Sequence, residues 1–113
     1  MLENNYRSFQ NPLPPNEVHF VELSVEPWED NNRFKVFVKI SEFSTPPNLN
    51  FYFSDTNNSI ISEVTLIENV DKEFVFTMHL RNYSGQKDLL LTGEIFYQNE
   101  IGVVNRKSIK LSL

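Results

Sequence analysis

His19 and His79 are the two side chains of this 113-residue chain best suited to proton transfer or metal ligation near neutral pH. They lie far apart in sequence, and a zinc site would need at least one further well-placed ligand beside them. No Gly-x-Ser-x-Gly turn or other nucleophile elbow occurs, and neither histidine has an evident acid to orient it. Cysteine is absent, which removes thiol catalysis, thiolate metal sites and disulfides. Glu26, Glu29 and Asp30 gather around Trp28. The run Glu29-Asp30-Asn31-Asn32 is rich in oxygen, but it lacks the spacing and the glycine of a helix-loop-helix calcium loop. Nothing in the spacing selects the acid pair of a glycosidase. Gly85, Gly93 and Gly102 form no phosphate-cradling loop. These residues predict no enzyme, no cofactor and no metal.

The chemistry that remains is aromatic. Phe37 shares the charged parity of its segment with Lys35 and Lys39, Tyr52 opposes the Phe51 and Phe53 face, and Phe96 shares the parity of Thr92 and Glu94. If their three strands lie close together, Phe37, Tyr52 and Phe96 form an outward patch among Lys35, Lys39 and Glu94. Such a patch suits docking of a protein or stacking on a sugar. Trp28 is a second stacking candidate. The competing reading is that the N-terminal arm covers the patch from within the same molecule.

The elements that must position these residues are strands. Phe34, Val36, Val38 and Ile40 share one parity, and Phe74, Phe76, Met78 and Leu80 share another. A period of two turns one face inward and the other towards water. Seven strands are predicted, over 18–25, 33–41, 49–54, 60–68, 73–81, 89–98 and 103–113, with turn residues between them. The fold predicted is all-β: a single antiparallel β-sandwich of immunoglobulin or fibronectin type. The chain lacks the Cys-Trp-Cys spacing of true immunoglobulin domains, and Tyr97 stands near the place of their corner tyrosine. The predicted core holds Val21, Leu23, Phe34, Val36, Val38, Ile40, Phe51, Phe53, Phe74, Phe76, Met78, Leu80, Leu91, Ile95 and Ile109. Gly93, inside the sixth strand, predicts a bulge or the close approach of a bulky neighbour such as Phe.

Residues 1–16 contain Pro12, Pro14 and Pro15 and show no strand period. They predict an extended arm anchored by Tyr6, Phe9 and Leu13, with residues 17–113 as the sandwich domain. A net charge of −5 opposes nucleic acid and anionic membranes. The polar start, the lack of an apolar leader and the absence of cysteine predict a cytoplasmic protein. Asn57-Asn58-Ser59 and Asn82-Tyr83-Ser84 match the glycosylation acceptor pattern in predicted loops, without a leader to give it use. The function predicted is noncatalytic: an interaction or assembly module that binds a protein or its own copy through a sheet face or edge. The alternative is a carbohydrate-binding module using exposed aromatics.

Overall fold

A computed structural model describes residues 6–29, 32–80, 88–98 and 100–112. Asp30 and Asn31 of the acidic turn, and Asn82-Tyr83-Ser84 with Gly85, lie outside the described residues. Seven strands follow in order: β1 (Phe20–Pro27), β2 (Arg33–Ile40), β3 (Asn48–Ser54), β4 (Ile60–Leu66), β5 (Glu73–His79), β6 (Asp88–Tyr97) and β7 (Gly102–Ser112). They form two antiparallel sheets, β1-β2-β5 and β4-β3-β6-β7. The all-β sandwich stands. Among the described residues no helix is long and apolar enough to cross a membrane.

Alternation is cleanest in β2, where Phe34, Val36, Val38 and Ile40 are buried and Arg33, Lys35, Phe37 and Lys39 point away from the core. Between the sheets the Phe34 and Phe53 rings sit 5.0 Å apart, as do Phe51 and Phe76. Each buried phenylalanine adds about 1.5–3 kcal/mol of apolar transfer to the stability of this layer. Gly93 faces the same layer. A Cβ there would stand 2.9 Å from Phe20 Cζ and 3.1 Å from Phe51 Cε1, the close approach anticipated from sequence.

Val21 departs from the predicted core: it is 50% exposed. Phe20 pairs with Ile40 and Glu22 with Lys39, so Val21 is the extra residue of a β-bulge. The bulge reverses parity between Phe20 and Leu23, so both are buried where simple alternation would bury only one. Phe74, Phe76 and Ile109 are only partly buried and pack against the core from its margin. Val18, Phe43, Leu49, Leu89 and Tyr97 join the core beyond the predicted set.

The arm docks on the domain. Tyr6 stacks on the buried Phe43 at 5.7 Å and Phe9 meets the same ring edge-on at 5.1 Å. Leu13 makes an isolated parallel bridge with Phe43: its N–H donates to the Glu42 carbonyl, and its own carbonyl accepts the Ser44 N–H. Short 3-10 turns at Tyr6–Ser8 and Pro15–Glu17 flank this extended stretch. The Glu42 carboxylate accepts the Asn11 N–H at 2.8 Å and lies 3.2 Å from Lys72 Nζ. Its pKa is lowered by the Asn11 N–H above all, with burial opposing and Lys72 assisting. The Tyr97 hydroxyl donates to the Thr45 carbonyl at 2.8 Å, and burial pushes its pKa up to about 12.

The two flanks of the sandwich differ. On one, β1 and β7 are joined by the Phe20 N–H donating to Asn105 Oδ1 at 2.9 Å. On the other, β4 meets β5 where Ser62 Oγ donates to the His79 carbonyl at 2.8 Å.

Candidate recognition face

The outer face of the three-stranded sheet is built in rows across β1, β2 and β5. Register places Glu22, Lys39 and Glu73 in one row, Ser24, Phe37 and Val75 in the next, and Glu26, Lys35 and Thr77 in a third. Arg33 stands beside His79 in the last row. Trp28 follows β1, and its backbone N–H donates to the Arg33 carbonyl at 2.8 Å, which fixes the Trp28 main chain at the end of the face. The Arg33 guanidinium lies 4.3 Å from the centre of that indole. Lys35 Nζ lies 5.7 Å from the same ring and 5.9 Å from the Phe37 ring. Cationic groups therefore flank Phe37 along β2, with Trp28 beside the Arg33 end of the row. Period two makes this possible, since it puts residues 33, 35, 37 and 39 on one face.

Each cation–aromatic contact of this kind contributes about 0.5–1 kcal/mol at an exposed site, and the stack also limits the rotamers of long side chains. Trp28 remains 39% exposed. An open groove of about 570 Å³ runs beside it, lined by Glu26, Pro27, Trp28, Glu29, Arg33 and Lys35. Val75, 55% exposed, extends the apolar part of the face next to Phe37.

The expected cluster of Phe37, Tyr52 and Phe96 does not form. Phe37 belongs to the three-stranded sheet, whereas Tyr52 and Phe96 belong to β3 and β6 of the other sheet. Their side chains leave the core in opposite directions. Phe37 keeps Lys35 and Lys39 as strand neighbours, and Trp28 joins them; Tyr52 and Phe96 keep Glu94 on their face. Assignment of a strand to a sheet depends on long-range pairing, which local periodicity does not encode.

Tyr52 and Phe96 sit in a different setting. Around them Asn50 Nδ2 donates to Glu63 at 2.9 Å, Thr65 Oγ1 donates to Asn50 at 2.6 Å, and Arg106 Nε donates to Glu94 at 2.8 Å. Thr92 and Ser108 hydroxyls are 3.0 Å apart. These contacts pair polar groups of this face with one another.

The histidines do not meet. The His19 backbone N–H donates to Ser41 Oγ and its carbonyl accepts the Ser41 N–H, beyond one end of β2, while its Nδ1 lies 2.9 Å from the Glu17 carbonyl; His79 pairs with Arg33 at the other end. That separates them by roughly 25 Å along the strand direction. Among the described residues no group of three or more His, Asp or Glu side chains is placed to hold a metal. Asp55 and Asp88 share a second groove of about 270 Å³. Asp55 accepts the Asn57 and Ser59 N–H groups of its own turn, and Asp88 accepts the Ser112 hydroxyl. Sequence reasoning left Arg33 and Val75 out of the candidate face. The parity of Arg33 was visible, but its stacking depends on how the β1–β2 hairpin closes, and Val75 enters only through the pairing of β5 with β2.

No family model matches the chain, and no curated protein sequence matches it. Solved structures do. A β-glucuronidase from Ruminococcus gnavus, in complex with D-glucaro 1,5-lactone, superposes with a TM-score of 0.55 at 13% identity, over 86% of this chain and 16% of that one. A glycosyl hydrolase family 2 member from Bacteroides cellulosilyticus superposes with a TM-score of 0.60 at 15% identity, over 84% of this chain and 14% of that one. The likeness is one of fold. This chain corresponds to a small part of each enzyme's length.

Proposed function

We propose that this chain is a noncatalytic recognition module that binds a protein partner through the outer face of its β1-β2-β5 sheet. The observation that carries this reading is the half-exposed Trp28 stacked over Arg33 and Lys35, continued by Phe37 and Val75. Tryptophan and arginine dominate the energetics of protein interfaces, because each offers a large contact area and directional donors. Here the backbone bond from Trp28 and the cation–aromatic stack hold them in place before binding, which lowers the ordering cost of association. On the opposite sheet face Asn50 bonds to Glu63 and Thr65, and Arg106 to Glu94, which leaves those groups less available to a partner. The separation of the two histidines and the structural duties of Asp55 and Asp88 support a noncatalytic role.

A photo-crosslinking amino acid placed at Phe37, and separately at Tyr52, tests the assignment in the source cell. A discrete adduct from position 37, absent from position 52 and lost on adding Trp28→Ala, is the expected outcome. Equal labelling from both faces, or none from position 37, would overturn it.

A carbohydrate is the second reading, favoured by the exposed indole bordering an open groove. The similarity to parts of glycosidases agrees with it at the level of fold alone. Trp28 is the only tryptophan, so its emission reports this site directly. A saturable shift in that emission with one polysaccharide, matched on a glycan array, would move the assignment from protein to sugar.

A further inference from the structure

We propose that two copies of this chain join through β5, pairing antiparallel with its own counterpart so that the two three-stranded sheets become one sheet of six. This surface differs from the Trp28 face, and either proposal stands without the other.

Four strands lie at sheet edges, β1, β5, β4 and β7. Three of them carry a bulge: Val21 in β1, Ile61 in β4 and Val104 in β7 are each extra residues against their partners. Bulges and charges protect an edge from a foreign strand. β1 adds Glu22 and Glu26, β4 adds Glu63, and β7 adds Arg106, Lys107 and Lys110. β5 pairs with β2 in unbroken register over all seven residues. It is the straight edge.

Its backbone polarity follows from the bonds at its two ends. The Leu80 N–H donates to the Asn32 carbonyl, and the Ile40 N–H donates to the Lys72 carbonyl. Even-numbered residues therefore turn their N–H and C=O groups towards β2, and Glu73, Val75, Thr77 and His79 turn theirs outward. The same four side chains are exposed.

The strand reads Glu-Phe-Val-Phe-Thr-Met-His, and it is complementary to its own reverse about Phe76. In that register Glu73 faces His79 of the second copy, Val75 faces Thr77, and the outward backbone groups meet as hydrogen-bonded pairs. Imidazole donates to a carboxylate whether neutral or protonated, and two-fold symmetry repeats the contact. The His79 carbonyl already accepts Ser62 and has a second lone pair for the incoming Glu73 N–H. Moving the register by two residues in either direction breaks the Glu–His match. The paired sheets would set two Trp28 faces side by side, which favours a partner with repeated sites.

Sedimentation velocity on the full chain, from micromolar to millimolar, should show monomer passing to dimer. Glu73→Lys and His79→Glu should each weaken the dimer about tenfold, because the first removes the carboxylate that accepts from His79 and the second sets two carboxylates opposite one another, each of them twice by symmetry. The double variant should recover affinity to within roughly twofold of the parent, since the introduced lysine and glutamate then face one another with opposite charges. The chain has no cysteine, so Thr77→Cys accepts a single spin label. Labels across the axis would start from backbone positions roughly 7–8 Å apart and broaden each other's spectrum. Far-UV circular dichroism confirms that each variant is folded, and the label supplies the readout if a charge variant is not. A chain that stays monomeric at millimolar concentration, a dimer indifferent to both charge changes, or a dimer without spectral broadening would overturn the proposal.

Discussion

The two flanks of this sandwich close in different ways. Where β1 meets β7, Phe20 and Leu23 pack down onto Gly93, and the Phe20 N–H ends on Asn105 across the gap between sheets. Both edges there are bulged and charged. Where β4 meets β5, the exposed Ser62 hydroxyl donates to the His79 carbonyl, and Phe74 and Phe76 remain partly open. One flank is finished by its own residues. The other leaves apolar surface and backbone groups near solvent, so the same fold has a stabilising side and a side suited to association.

Changes at the first flank should therefore cost more than changes at the second. Gly93→Ala should have the largest effect, a loss of about 2 kcal/mol by chemical denaturation, because the new Cβ overpacks against Phe20 and Phe51. A loss below about 0.5 kcal/mol would mean that this flank yields more easily than its contacts imply. Asn105→Ala should follow at about 1.5 kcal/mol, since it strands the part-buried Phe20 N–H. Ser62→Ala, the matching change on the other flank, should cost only about 0.5 kcal/mol, because water can replace the hydroxyl at an exposed carbonyl. Equal losses for Asn105→Ala and Ser62→Ala would erase the distinction between the flanks.

The smallest effect is expected at the arm, and it depends on pH. The Glu42 pKa is lowered in the folded chain, chiefly by the Asn11 N–H. The stabilisation is thus complete above the ordinary carboxylate range and is lost as pH falls through the lowered folded value. Protection of the Leu13 and Ser44 amides, taken relative to the intrinsic exchange rate at each pH, should fall on acidification through that range while the β2 amides stay protected. Glu42→Gln should flatten the response. Arm protection that ignores pH would show that the aromatic contacts on Phe43 hold it without the carboxylate.

Much of this architecture was legible from residue types alone. Periodicity predicts the second strand to within one residue of β2, because four apolar side chains at period two are unambiguous over that length. Simple alternation starts the first strand two residues early and puts Val21 in the core, because a bulge breaks parity without leaving a mark in the composition. Gly93 was legible as a close approach: a residue with no side chain inside a strand implies a neighbour that needs the space. The candidate site was legible in part. Trp28, Lys35, Phe37 and Lys39 lie on one sheet, but Tyr52 and Phe96 lie on the other, since nothing local records which sheet a strand joins.

What the chain determines by itself is thus the set of strands and the two faces of most of them, since alternation of apolar and polar side chains acts through neighbours two residues apart. The absence of cysteine and the arm's interruption by Pro12, Pro14 and Pro15 belong to the same local account. Tertiary structure decided the order β1-β2-β5 and β4-β3-β6-β7, the stacking of Trp28 on Arg33, the seating of Tyr6 and Phe9 on Phe43, and the exposure of the β5 edge. Each of these depends on contacts between residues distant in sequence, whose partners are selected by the packing of the whole sandwich.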